Sequence, residues 1–162
     1  TIRDLVRDTF GKTMAPLVLT SQVPPGFTRS LDLPIWCQAE TLRVKDALER
    51  ALHPEQHIVG CADPYSLLPQ SYRDYLGLFP APIFQMSYES AEFAKIAINL
   101  TLASQVENSN RLCEAAMKYR ANWNDIAEVL AHDRRIGPHS YLTPGDWRES
   151  PHLLRDWRTV YG

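Results

Sequence analysis

SAEFAKIAINLTLASQVENSN, residues 90–110, decides the architecture of this chain. Its apolar residues Phe93, Ile96, Leu100, Ala103 and Val106 recur at intervals of three and four, the period of an α-helix. Ile98 and Leu102 lie off that stripe and are apolar too, so the helix is expected to be covered on most sides. Continued through Arg111, Leu112 and Ala116, it spans about 28 residues, or ~42 Å at the helical rise. An element of that length in a small protein forms the spine of a domain or packs against its own copy. Lys95 and Asn99 stand four residues apart within it and therefore share a face. A lysine there must snorkel to water or find a partner, because an unpaired buried ammonium is too costly. The two residues read as a structural pair or as a functional one.

Ahead of this helix the pattern is different. Residues 2–10 form an amphipathic stretch with Ile2, Leu5, Val6 and Phe10 on one side and Gly11 as a stop signal. APLVLTSQV (15–23) is a continuous apolar run, as a strand buried on both faces would be, and it ends in the turn Pro24-Pro25-Gly26. PIWCQ (34–38) and HIVGC (57–61) read as two more buried strands, with a helix predicted over ETLRVKDALERAL (40–52) between them. A further helix is expected within Tyr65–Leu78 and a strand at PIFQMS (82–87). Strand and helix in alternation predict a parallel α/β arrangement. After the long helix, Asn122 or Asn124 caps a helix carrying Ile126, Val129 and Leu130, and Ser150-Pro151 starts a last one through Leu153, Leu154 and Trp157. The expected fold is α/β followed by all-α: the C-terminal part of a Rossmann-like parallel sheet over 1–88, joined to a helical domain over 89–162.

The chain of 162 residues can bury one real core, or form two pieces of a larger enzyme. A net charge of −2 gives no electrostatic case for nucleic acid or an anionic membrane as partner. No apolar run approaches a membrane span, and TIRDLVRD does not resemble a signal peptide. Cys37, Cys61 and Cys113 are odd in number and widely spaced, which suits reduced thiols in a cytoplasmic protein. His132, His139 and His152 match no zinc-ligand spacing, so no metal is expected. Trp123, Trp147, Trp157 and Tyr141 read as packing or as a stacking surface.

SAEFAKIAINLTLASQVENSNRLCE (90–114), followed by WNDIAEVLAHDRRIGPHSYLTPG (123–145), resembles the central region of the UDP-glucose/GDP-mannose dehydrogenase family. That family carries S-A-E-x-x-K-x-x-x-N, a downstream Asn, and D-x-R-I-G ahead of P-G, in this order. TSQVPPGFTR (20–29) is similar to its S-T-V-P-x-G-T-x-R turn. AETLRVKDALERALHPEQHIVG (39–60) is similar to its P-E-F-L-x-E-G segment and the strand that follows. The resemblance implies oxidation of the 6-hydroxymethyl of a nucleotide sugar by two hydride transfers to NAD through a cysteine-bound thioester. It implies Lys95 and Asn99 as the oxyanion-stabilising pair, Glu40 as the catalytic glutamate, and Asp156 as the retained aspartate of the nucleophile block. Ser21, Gln22 and Glu40 would face the cofactor. Arg135, Tyr141, Leu142, Pro144, Gly145 and Arg155 would line the sugar-nucleotide pocket, with a salt bridge to Asp133 as the other reading of Arg135. The long helix, residues 90–117, would pair with its copy in a homodimer.

The departures carry equal weight. Gln22 stands where the family has the threonine of S-T-V-P, and Val44 stands where it has a second glutamate. ESPHLLRD (149–156) replaces G-G-S-C-F-P-K-D, so that His152 occupies the place of the nucleophilic cysteine and Arg155 that of the lysine. Histidine cannot form the thioester, although it can act as a base. No G-x-G-x-x-G occurs in these 162 residues, so no NAD pyrophosphate site can be drawn on them. Two readings follow: a partial or divergent nucleotide-sugar dehydrogenase, or a non-catalytic dimerisation or interaction module built on that scaffold.

Overall fold

A computed structural model describes residues 1–162 apart from the side chain of Val44, so that the Val44 substitution lies outside the described residues. The chain divides into two compact units, Thr1–Lys95 and Ile96–Gly162.

The N-terminal unit opens with helix α1 (Ile2–Phe10), started by a capping box between Thr1 and Asp4. Arg3 ties it to the segment that follows, donating to the Ser30 carbonyl and hydroxyl at 2.9 Å each and lying over the Phe27 ring. Four strands form one sheet in the order β1 (Val18–Leu19), β2 (Trp36–Ala39), β3 (His57–Cys61), β4 (Ile83–Ser87). The predicted strand over 15–23 is reduced to two residues. Pro16 and Pro24 bracket it without N–H donors, and β1 has a single neighbour to pair with. The sheet is mixed: β1 and β2 run parallel, β3 and β4 run parallel, and β2 meets β3 antiparallel.

The antiparallel step corrects the wholly parallel expectation, and its cause lies between Glu40 and Gln56. Only Ala47–Leu52 (α2) is α-helical there, and none of its residues is buried; Leu48 is 75% exposed. Arg50, paired with Asp46 and Glu55, holds this segment by charge rather than by an apolar face. A crossover helix must cover the sheet to return the chain to the starting edge. This one does not, so the chain turns back and enters β3 in the opposite sense.

Helix α3 (Gln70–Gly77) covers one face of the sheet, with Tyr72, Leu76 and the preceding Leu68 packed on Val59. On the other face the long helix α4 (Tyr88–Lys118) begins directly after β4, and its Ala91 and Tyr88 lie beside Gly60. At 31 residues α4 exceeds the predicted length, and its buried stripe is rotated. Glu92, Ile96, Asn99 and Ala103 are buried, whereas Phe93 is 44% exposed.

In the C-terminal unit, α4 is followed by α5 (Trp123–His132), capped by Asn122, a loop over 133–146, and α6 (Pro151–Tyr161). Val129 is exposed rather than packed. Trp123 is buried and donates to the Leu142 carbonyl, while Trp147, Trp157 and Tyr161 form a run of tilted ring contacts. No helix among the described residues is long and apolar enough to cross a membrane.

Candidate active site

Within the N-terminal unit the first turns of α4 hold the turn 24–28. Phe27 N–H donates to the Pro24 carbonyl, and Gly26 sits at φ 87°, the left-handed position that a side chain would strain. That turn directs the Gly26 and Thr28 amides onto the carboxylate of Glu92, at 2.5 Å and 2.8 Å. Glu92 is 5% exposed, so a buried charge is met by two charge-assisted hydrogen bonds. Beside it Arg29 makes a two-pronged ion pair with Glu89 and lies over the Tyr88 ring, and the Tyr88 hydroxyl donates to the Ile35 carbonyl. The Arg29 guanidinium holds the Glu89 carboxyl down from 4.5 to about 2. A depressed carboxylate contributes stability that is fully present above its ordinary pKa and is lost as pH falls toward the folded value. The pair is 50% and 41% exposed, so solvent screening keeps the gain small. Glu89→Gln should therefore lower the urea midpoint slightly at neutral pH, with the deficit shrinking as pH falls from 4.5 through about 2; an equal deficit at neutral and acid pH would refute the pairing.

The sequence-predicted site residues fall into separate groups. Ser21 and Gln22 are exposed just past the C-terminal end of β1, and half-buried Glu40 follows the end of β2. These two strands are adjacent and parallel, so both ends open on one sheet edge, where α/β sheets receive ligands. Glu40 accepts from the Gln38 amide at 2.9 Å, and Gln38 accepts from the Tyr72 hydroxyl at 2.8 Å. Lys95 is half-buried on α4.

In the C-terminal unit, Asn99 and Asp156 are brought together from 57 residues apart: the Asn99 amide donates to Asp156 at 2.6 Å. Asp156 is 1% exposed and also accepts from its neighbour Arg155 at 2.9 Å. Asp156→Ala should cost about 2 kcal/mol, because it deprives a buried amide of its acceptor. Chemical unfolding of the variant checks this, and unchanged stability would count against the pair. His152 is exposed on α6, on its second residue.

Arg135 is exposed and paired with Asp133 at 2.7 Å, the salt-bridge alternative read from the sequence. The segment 141–145 is gripped through its backbone. Tyr141 N–H donates to Gln105, and its carbonyl accepts from Ser109. Gly145 exchanges both hydrogen bonds with the Asn110 side chain, at 2.7 and 2.8 Å. The Tyr141 and Gly145 main-chain groups are thus engaged inside the unit, and Leu142 is half-buried while Pro144 is exposed.

For a nicotinamide dinucleotide the fit is partial. Ser21, Gln22 and Glu40 could line one side of it, but a pyrophosphate needs a Gly-rich turn leading into a helix N-terminus, and the described residues include none after a strand. Burial pushes the Cys37 thiol up to about 12 and raises Cys61 as well, so neither is a ready nucleophile. Among the described residues no three His, Cys, Asp or Glu side chains converge as metal ligands would.

Residues 89–147 match the model of the UDP-glucose/GDP-mannose dehydrogenase family, central domain. Over that stretch the chain is similar to the central domain of that family. It is 29% identical over 98 residues to the UDP-glucose 6-dehydrogenase YwqF of Bacillus subtilis, covering 60% of this chain and 22% of that protein. The UDP-glucose dehydrogenase of the archaeon Pyrobaculum islandicum is 25% identical, with a TM-score of 0.63 over 75% of this chain and 31% of that one. The fold is shared with GDP-mannose dehydrogenase from Pseudomonas aeruginosa, at a TM-score of 0.67 and 19% identity over 98% of this chain and 42% of that one. The chain thus spans less than half the length of each of these relatives.

Glu92 is the residue that sequence reasoning passed over. It stands in the family's S-A-E pattern with no role attached. The available signal was its place four residues before Ile96, on the stripe that includes Asn99 and Ala103. An acid on a buried stripe has to be satisfied from elsewhere in the chain.

Proposed function

We propose that this chain supplies the central helical domain and the adjoining part of the cofactor domain of a nucleotide-sugar dehydrogenase that oxidises the sugar C6 hydroxyl. The family match over 89–147 carries the reading, and it encloses Lys95 and Asn99. NAD, when bound, accepts the hydride. Lys95 and Asn99 donate to the oxygen on which negative charge develops, and Asp156 holds the Asn99 amide in place. Glu40 moves the proton, with Gln38 donating to its carboxylate. Arg155 and the segment Tyr141–Gly145, with Leu142 and Pro144, face the sugar nucleotide, and Ser21 and Gln22 face the cofactor. The exposed apolar residues Phe93 and Leu112 on α4 support pairing of that helix with its copy in a homodimer. Three unpaired thiols support a cytoplasmic setting.

His152 determines the outcome of the reaction. An imidazole in place of a thiol leaves the second oxidation without its covalent carrier, so either the second step is changed or the reaction stops at the aldehyde with one NADH formed per sugar. Two NADH per sugar consumed would show that another group carries the acyl intermediate and that His152 is misassigned. Lys95→Ala should lose binding of the sugar nucleotide; a variant that is only destabilised and still binds would favour a structural role for Lys95.

The departures at Gln22, Val44 and His152 support a second reading, a non-catalytic dimerisation or interaction module. Calorimetric titration separates the two: binding of a nucleotide sugar favours the enzyme, and binding of neither nucleotide sugar nor NAD favours the module.

A further inference from the structure

We propose that Tyr72 and Gln38 are positioning residues that fix the Glu40 carboxylate through a hydrogen-bond relay of one direction only. The inference rests on the reading in which Glu40 moves the proton of the reaction. Tyr72, on α3, and Gln38, on β2, are 3% and 8% exposed, and the relay runs from the Tyr72 hydroxyl to Gln38 Oε1 and from Gln38 Nε2 to Glu40 Oε1.

Its direction follows from the groups at its ends. A phenol has one proton to give, and burial raises the Tyr72 pKa further, so that end is a donor. An ionised carboxylate can only accept. The carboxamide between them therefore has one workable orientation, with its oxygen toward Tyr72 and its NH2 toward Glu40. Reversed, it would set an NH2 against the phenol proton and an oxygen against the carboxylate. Tyr72 thus selects which end of Gln38 faces Glu40, and Gln38 selects which oxygen of Glu40 is occupied. The other oxygen makes no hydrogen bond among the described residues and is left for a hydroxyl or water of the reacting pair. Without Tyr72's hydroxyl the carboxamide is free to flip, and a flipped amide withdraws its NH2 from Glu40 and sets an oxygen against the carboxylate instead.

The test is a double-mutant cycle on the complete gene product, assayed with NAD and UDP-glucose or GDP-mannose. Tyr72→Phe keeps the ring in its core and removes one hydroxyl; Gln38→Leu removes the relay. Each is expected to lower kcat about tenfold with KM for the nucleotide sugar unchanged, the size of one hydrogen bond. In a Glu40→Gln background neither should change the residual rate, because the group they act through is gone. The same fold-loss in both backgrounds would overturn the relay and leave a packing role. If Glu40→Gln itself leaves kcat intact, it is the functional reading that fails, and the positioning role falls with it. A second measurement needs no turnover: proton exchange of the Gln38 carboxamide by nitrogen-edited NMR should rise about tenfold in Tyr72→Phe. Equal exchange in the two proteins would overturn the relay independently of any catalytic result.

Discussion

Gly60→Ala is expected to destabilise the N-terminal unit by about 3 kcal/mol or more, the upper range for overpacking a core. Gly60 lies in β3, whose five residues are all buried, and pairs with Cys37 across the antiparallel step. A Cβ placed there would lie 2.4 Å from Cys37 Sγ, 2.8 Å from Ala91 Cβ and 3.2 Å from Tyr88 Cα. A flexible side chain could swing aside, but Ala91 and the Tyr88 backbone belong to the start of a helix and cannot. Tyr88 is further pinned by its hydroxyl on the Ile35 carbonyl. Relief would require lifting the first turn of α4 off the sheet, which would also stretch the Glu92 and Arg29 contacts. The urea midpoint reads the effect directly. Pairing Gly60→Ala with Cys37→Ala should recover only part of the loss, since the closer obstacle goes and the helix remains. Wild-type stability in the single variant would mean that β3 and α4 do not approach as described.

The second large effect is expected at Glu92. Glu92→Ala removes the acceptor shared by the Gly26 and Thr28 amides. A buried donor left unsatisfied costs about 1–3 kcal/mol, so losing both costs about 3 kcal/mol before the vacated side-chain volume is counted. Glu92→Gln separates number from charge. It keeps one acceptor oxygen and sets an NH2 against the other amide, so about half the loss should remain. Amide hydrogen exchange localises the cause: protection at Gly26 and Thr28 should fall while Ile58–Cys61 stays protected. Uniform loss across the unit would instead mark Glu92 as one more element of global stability, and no loss would remove it from the turn altogether.

The parts of the fold that were legible in the sequence are those where local periodicity and burial agree. HIVGC is a strand because every residue of it is buried, and residues 90–116 are helical because the three-four period has no break within it. Where a long-range partner decides, the sequence reading erred. Of the predicted apolar stripe Ile96 and Ala103 are buried but Phe93 is not, and the buried face includes the polar Glu92, held by the Gly26 and Thr28 amides within the N-terminal unit, and Asn99, held by Asp156 within the C-terminal unit. The segment 40–52 has the composition of a packing helix, yet α2 starts only at Ala47 and buries nothing, and the sheet turns antiparallel as a result. For the candidate site, Asn99 and Asp156 could each be named from a motif, but nothing in the sequence joins them. Gln38 and Tyr72 carried no motif at all; their relay exists only because a strand and a helix meet.

The segment 141–145 bears on how such a protein can diversify. Gln105, Ser109, Asn110 and Trp123 hold it by hydrogen bonds to Tyr141, Leu142 and Gly145, and every one of those bonds ends on a peptide group. A loop anchored in this way keeps its path whatever its residues are. Side chains at 142–144 can then be exchanged one at a time, with no intermediate that has to refold.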